Sequence, residues 1–431
     1  MTNSSRENRT HVGVFGSFIS EEGLRNIEEY SYKSGGSTFL DSLMNPFWEL
    51  FERQIPEYIS PNLLTVLGFI CSLIAILLTM MYCPTLDNAM PFGTSIIISL
   101  LLFLYQTLDA VDGKHSRRLK ISSPLGQLLD HGLDSYTTIF FSTIFCACCR
   151  MGWGYKFCVF LSIAQFKMFS FIWLECHCKI FRCSSSDYLG VTESQCIVIF
   201  FAVYSSTSGL NILFKHLLLN ISTIDIIILS IIIIGIITLI NDIVSGLNEC
   251  KSPRSKKIAS LEICGILCHL MFQFLFISSN TYTEFPMTTM FILTTSSSII
   301  ALRMNVSSFT LEELPYVHWP ALPFYISSVF LLFGRILFSQ SFEFQIVLLI
   351  IVALWNTMYT IDFASITIKS ICNHLNISLF STRILDENKM EKSVVHKDKA
   401  SNHFSYGNRT KEMNSKIKLS MSRSFKKNNR N

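Results

Sequence analysis

Charge is what this chain has least of. Only 15% of its 431 residues are Asp, Glu, Lys or Arg, against about 25% in a soluble globular domain. Half of the residues are hydrophobic and the mean hydropathy is +0.41. That balance excludes an ordinary soluble domain and predicts an all-α, polytopic membrane protein. No apolar run precedes residue 60, so no cleavable signal peptide is expected. The net charge is only +4, from 35 basic and 31 acidic residues, with most of the excess after residue 380. Nothing in that balance calls for nucleic acid as a partner. The fourteen cysteines lie mostly inside apolar runs, as Cys146, Cys148 and Cys149 do. They read as buried small hydrophobes and not as a disulfide framework. Cys176, His177, Cys178 and Cys183 suggest zinc at first sight, but adjacent ligands on a helix diverge and no second cluster completes the set.

Long apolar runs are what is present. They predict about ten membrane-spanning helices, near 62–83, 95–114, 126–150, 155–177, 192–209, 224–246, 258–279, 285–303, 321–338 and 342–365. Residues 1–44 are polar and read as a cytosolic, partly flexible segment. Residues 45–60 read as an interfacial amphipathic helix, with Phe47, Leu50, Phe51 and Ile55 on one face and Glu49, Glu52 and Arg53 elsewhere. Residues 61–372 form the transmembrane domain. Residues 373–431 read as a basic, largely disordered cytosolic tail, rich in Lys, Ser and Asn. With the N-terminus inside, Lys114 to Lys120, Lys179, Arg182, Lys251, Arg254, Lys256, Lys257, Arg303 and the tail lysines all fall on the cytosolic side. Arg150 and Lys215 are the exceptions.

Four aspartates interrupt this apolar pattern at the inner ends of the second and third spans: Asp109, Asp112, Asp130 and Asp134. Each carboxylate at membrane depth costs roughly 2.5–3.5 kcal/mol on insertion scales, so the group needs compensation. Asp109 and Asp112, three apart, share one helix face, and so do Gly126, Asp130 and Asp134 at successive steps of four. Two helices packed face to face present four carboxylates to one cavity, an active site between the second and third spans. Hard oxygen ligands suit Mg²⁺ or Mn²⁺, and two ions are expected. Lys114, Arg117, Arg118 and Lys120 between the pairs suit phosphate oxygens. Together they describe metal-assisted phosphoryl transfer. The plainer alternative is a set of ion pairs at a membrane surface, which leaves the two glycines at fixed offsets unexplained.

The stretch resembles the CDP-alcohol phosphotransferase motif D-x-x-D-G-x-x-A-R-x8-G-x3-D-x3-D, through Asp109, Asp112, Gly113, Ser116, Arg117, Gly126, Asp130 and Asp134. Every spacing fits, and Ser116 stands where the family usually has Ala. The run Ser123-Pro-Leu-Gly-Gln-Leu-Leu-Asp-His-Gly-Leu-Asp-Ser135 is similar to P-L-G-E-L-F-D-H-G-x-D-S of the choline/ethanolamine phosphotransferases. Tyr105 to Lys114, Val191-Thr-Glu193, Ile361-Asp-Phe and Cys372 to Ile377 resemble that family too, so the likeness covers most of residues 24–380. It departs at Gln127, usually Glu, and across 174–188.

The resemblance implies transfer of phosphocholine or phosphoethanolamine from CDP-choline or CDP-ethanolamine to diacylglycerol, releasing CMP. It also implies a homodimer in the endoplasmic reticulum or Golgi membrane, facing the cytosol. Asp109, Asp112, Asp130 and Asp134 are then the metal ligands. Gly113 and Gly126 allow the backbone close to the nucleotide. Lys114, Ser116 and Arg117 line its phosphates, with surface cations as the alternative reading of Lys114 and Arg117. Asn62, in Pro61-Asn62-Leu-Leu-Thr65, is either a nucleotide contact or a helix cap. His131 is the expected general base, with Asp134 as the other catalytic carboxylate and Glu193 as a candidate to orient the imidazole. A structural histidine remains the alternative. Two rival functions stay open: a phosphatidyltransferase that takes CDP-diacylglycerol and a small polar alcohol, and a cation-coupled transporter.

Overall fold

Helices alternate with short turns through the described residues of the computed structural model. It describes residues 11–30, 34–178, 181–182, 184–186, 188–205, 207, 216–218, 221–250, 252–338 and 342–382. Two short helices come first, α1 (Glu21–Glu29) and α2 (Phe39–Arg53). The membrane domain follows with α3 (Pro61–Tyr82), α4 (Phe92–Arg118), α5 (Pro124–Cys148), α6 (Tyr155–Cys178), α7 (Val191–Tyr204), α8 (Thr223–Glu249), α9 (Pro253–Ser278), α10 (Pro286–Thr310), α11 (Leu322–Phe338) and α12 (Phe342–Leu375).

Each of the ten expected apolar segments is met by one of these helices. Among the described residues, α3, α4, α6, α8, α9, α10 and most of α12 are long and apolar enough to cross a membrane, which makes seven candidate spans. The protein is therefore an integral membrane protein. The expected count of ten is not reached on these grounds for clear reasons. Helices α7 and α11 have 14 and 17 residues, short of the roughly 20 that a hydrocarbon core requires. Helix α5 is long, but Gln127, Asp130, His131 and Asp134 crowd its first half.

Local sequence sets the helix ends. Pro61, Pro124, Pro253 and Pro286 each open a helix, where the missing N–H costs nothing. The α4–α5 turn matters most. Helix α4 closes with Ile121 N–H donating to Ser116 O at 3.0 Å and Lys120 N–H to Arg117 O at 3.2 Å. Lys120 takes φ +57°, the left-handed conformation that glycine more often supplies at this point. Ser123 then caps α5 by accepting from Gly126 N–H at 3.3 Å. After this turn α3 packs against both α4 and α5, while α4 and α5 have little direct backbone contact with each other. The two are joined through α3 and by long side chains, and are not packed face to face as expected.

The described residues up to Leu375, with Leu379–Thr382, form one compact unit. Helix α10 is its most enclosed span, buried along nearly its whole length against α5, α6 and α12. Helix α8 is the opposite case: it touches α6 and leaves Ile226, Leu229, Ile233, Ile237 and Ile240 exposed, an apolar outer wall suited to lipid. Three pairs of very short strands are the only sheet among the described residues. They include Ser34–Gly35 with Phe181–Arg182 and Ser184–Ser186 with Leu189–Gly190, in the stretch where the family likeness lapses.

Two expectations change here. The N-terminal segment is packed, not loose, over residues 11–30. Phe15 N–H donates to Asp362 at 2.9 Å, its ring lies against Trp355 and Tyr359, and Asn26 donates to Thr310 O at 2.7 Å. Helix α2 starts earlier than expected, and Glu52 on its polar side is buried. Trp48 and Ile55 also pack inward, while Phe47 and Leu50 stay on the outer side. Glu52 pairs with His115 at 3.0 Å and Arg118 at 2.6 Å, tying α2 to the end of α4. The described cysteines are all free thiols. The expectations for the tail beyond residue 382, and for Lys179, Cys183, Lys215 and Lys251, lie outside the described residues.

Candidate active site

Helices α4 and α5 bring Asp109, Asp130 and Asp134 together, with one carboxylate oxygen from each lying within 4.8 Å of the others. Helical spacing explains this. Asp130 and Asp134 are four apart on α5, and Asp109 faces them from α4. Three like charges this close repel, and the surrounding helices offer little water to screen them. Oδ1 of Asp130 is buried and has no hydrogen-bond partner among the described residues. A buried oxygen with spare lone pairs, facing two more carboxylates, fits a divalent cation of the Mg²⁺ or Mn²⁺ kind.

Asp112, the fourth expected ligand, has one oxygen engaged by a neighbouring helix. It is buried, and it accepts a hydrogen bond from the Thr65 hydroxyl on α3. It is outside the close group of three, although it remains an electrostatic neighbour of Asp109 and Asp130. Thr65 lies in the Pro-Asn-x-x-Thr stretch, but its partner was not legible there. A second side chain that sequence reasoning passed over is Tyr105. Its hydroxyl donates to Oδ1 of Asp134 at 2.7 Å and lies 3.0 Å from Thr137 Oγ1. It sits four residues before Asp109 on α4, a spacing that does place it on the aspartate face.

The expected nucleotide-side residues gather around the α4–α5 turn. Asn62 is not the cap of α3, because Ser60 holds that position. Its amide donates to Leu379 O at 2.7 Å, and a Cβ on Gly126 would lie 3.3 Å from its Oδ1. Gly126 therefore allows α3 and α5 to approach here. A Cβ on Gly113 would meet the Arg117 guanidinium at 3.2 Å, while Arg117 itself is exposed. Ser116 Oγ donates to Gly113 O at 3.0 Å and lies 3.2 Å from Ser122 Oγ. Lys114 is turned toward α2, where it donates to Asn45.

His131 is buried beside Asp130. One turn before it on α5, the Gln127 amide donates to Glu175, near the end of α6, at 2.9 Å. Glu193, the expected partner, is engaged elsewhere: its oxygens accept Gly190 N–H at 3.0 Å and Leu40 N–H at 3.3 Å, capping α7. His177 pairs with Glu262 at 2.8 Å, and no cysteine–histidine group with metal-binding geometry occurs among the described residues.

The decisive comparison is with families of known proteins. Residues 58–240 match the model of the CDP-alcohol phosphatidyltransferase family. The matched segment, under half of the chain, is similar to a CDP-alcohol phosphatidyltransferase domain. It holds all of Asp109, Asp112, Asp130, His131 and Asp134, and it ends well short of Ile361 and Cys372, where the sequence resemblance had extended. Among curated proteins the chain is similar to cholinephosphotransferase 1 of Xenopus laevis, 31% identical over 194 residues, 44% of this chain and 47% of that protein. It is 34% identical over 195 residues to the protein of the same name from Gallus gallus, covering 44% of this chain and 56% of that one. For Homo sapiens the identity is 34% over 195 residues, with 44% and 47% covered. The chain thus spans about half the length of the curated relatives it matches.

Proposed function

We propose that the protein transfers phosphocholine or phosphoethanolamine from CDP-choline or CDP-ethanolamine to the free hydroxyl of diacylglycerol, giving a phospholipid and CMP. The observation that carries this reading is the group Asp109, Asp130 and Asp134, whose ligand oxygens lie within 4.8 Å, beside a buried histidine in the segment that matches the family. The relatives' name, cholinephosphotransferase, supplies the substrate class.

Asp109, Asp130 and Asp134 would hold Mg²⁺ or Mn²⁺, with Asp112 steadied by Thr65 just outside them. Bound there, the ions neutralise the diphosphate and the charge that develops on departing CMP. Asn62 and Gly126 form the edge against which the nucleotide lies, and the exposed Arg117 takes a phosphate oxygen. Ser116 and Gly113 keep that turn of α4 narrow, and Lys114 adds positive charge near its α2 contact. The diacylglycerol oxygen attacks the phosphorus that bears the head group. The bond from that phosphorus to the bridging oxygen breaks, and CMP leaves with the electron pair. The hydroxyl proton passes to His131, with Asp134 beside it on the next turn of α5. Burial keeps bulk water, the competing acceptor, away from the reacting phosphorus.

In this reading the active site faces the cytosol, where CDP esters occur. The protein resides in the endoplasmic reticulum or Golgi membrane and pairs as a homodimer. The test is purified full-length protein in diacylglycerol-containing micelles with Mg²⁺ and both CDP esters in competition. Phosphatidylcholine or phosphatidylethanolamine should form with equimolar CMP. Product from CDP-diacylglycerol and a polar alcohol alone, or from no donor at all, overturns the proposal.

A further inference from the structure

A thiol, an imidazole and a carboxylate from three helices form one chain of contacts. Cys250 closes α8, His177 is on the last turn of α6 and Glu262 is on α9. The Cys250 Sγ lies 3.8 Å from His177 Nδ1, within reach for sulfur, and 3.5 Å from Gly246 O. On the other side of the ring, His177 Nε2 lies 2.8 Å from Glu262 Oε2. The Trp173 indole donates to the same Oε2 at 2.9 Å, and its ring lies 4.8 Å from the imidazole. An ionised carboxylate only accepts, so in the neutral ring Nε2 carries the proton and Nδ1 turns its lone pair to the thiol.

Cys250 and Glu262 are buried, while the His177 side chain is 17% exposed, so water reaches the edge of the ring and little more. The packing also sets a size limit. A Cβ on Gly246, one turn before Cys250, would run into the Trp173 ring. Helices α6 and α8 leave no room there for a long acyl chain or a tripeptide thiol, and a reagent for Cys250 has to be small.

We infer that Cys250 is a peroxide-reactive thiol, with His177 as its base and Glu262 and Trp173 as positioning residues for the ring. His177 Nδ1 takes the thiol proton as Sγ attacks one oxygen of hydrogen peroxide. The S–O bond forms and the O–O bond breaks. The second oxygen leaves as hydroxide and takes the proton from His177, giving water. Sulfur is oxidised by two electrons to a sulfenic acid, and the peroxide is reduced. None of these residues belongs to the aspartate group, and the step does not depend on the transfer reaction. The run Cys176-His177-Cys178, which fails as a zinc site, thus has a member with a chemical task, paired with a cysteine 73 residues further on.

The plainer alternative is a thiol that only donates to Gly246 O beside an ordinary ion pair. Exposure would then set the order of reaction, and the exposed Cys264 and Cys268 on α9 would be oxidised first.

The test uses purified full-length protein in detergent micelles at neutral pH. Hydrogen peroxide is added and sulfenic acid is trapped with dimedone. Peptide mass spectrometry then locates and times each labelled cysteine, counting any disulfide that the sulfenic acid forms with a neighbouring thiol. Cys250 should react at least about 10-fold faster than Cys264 or Cys268. His177→Asn and Glu262→Gln should each slow Cys250 at least about 10-fold and leave Cys264 unchanged. A variant that merely loosened the bundle would expose Cys250 and speed its labelling, so the direction of the change separates a base and its support from packing residues. Cys250 reacting no faster than Cys264 in the wild type, or at an unchanged or higher rate in either variant, overturns the assignment. If neither variant folds, the order of labelling in the wild type decides alone.

Discussion

The Tyr105 hydroxyl on α4 donates to Oδ1 of Asp134 on α5 at 2.7 Å. Asp109 lies one helical turn further along α4, so this hydrogen bond ties the two aspartate-bearing helices together beside the carboxylates. A carboxylate with one oxygen held this way presents the other in a set direction, which is how outer partners tune a metal ligand.

Tyr105→Phe should release that constraint while keeping the ring packed. The Mg²⁺ concentration for half-maximal activity is expected to rise about 10-fold. A Mg²⁺ titration of CMP release checks this, and an unmoved midpoint shows that Asp134 needs no such support.

Glu52 carries a stability prediction. It is buried between His115 and Arg118 and holds α2 on the end of α4. Glu52→Ala removes the carboxylate from both partners, leaving His115 its contact with Ile59 O and Arg118 its bond to Ile55 O. The loss is expected to be about 2–3 kcal/mol, below the usual figure for a broken buried pair because Arg118 is partly exposed. Thermal unfolding in detergent should shift down, and protease should cut earlier around α2. An unchanged profile means that α2 is held without this pair, by Trp48 and Ile55 and by its bonds to Lys114 and Glu193.

Gly126→Ala probes the nucleotide side. The new methyl would sit 3.3 Å from Asn62 Oδ1, in contact tighter than usual, and push α3 and α5 apart at their meeting point. KM for the CDP ester should rise about 10-fold, with a smaller change in kcat. Steady-state kinetics decides, and a KM within error of the wild type removes Gly126 from the nucleotide edge.

What could be read from the sequence followed the range of the interactions. Asp130 and Asp134 share a face because of helical spacing alone, and the pattern of apolar runs located the helices of the membrane domain. Contacts between helices were harder to read. Asp112 is read as a fourth member of the group, but the hydrogen bond that Thr65 on α3 gives to one of its oxygens was not legible. Asn62 reads equally as a cap until Ser60 is seen to hold that place. The polar side of α2 reads as outward until Glu52 is found paired with α4. Glu193 and Glu175 are both acidic residues near the helices that follow. Only tertiary structure shows that Glu193 caps α7 and that Glu175 accepts from Tyr30 and Gln127. The short strand pairs around Phe181–Gly190 had no periodicity to announce them.

CMP release by the purified protein, stripped with EDTA and titrated back with Mg²⁺ or Mn²⁺, bears most directly on the convergence of Asp109, Asp130 and Asp134. EDTA should stop wild-type turnover and either ion should restore it, while Asp130→Asn should stay at least about 100-fold slower at every ion concentration. Wild-type turnover that persists in EDTA, or an Asp130→Asn protein that works at the wild-type rate, would contradict the assignment of these carboxylates to a divalent cation.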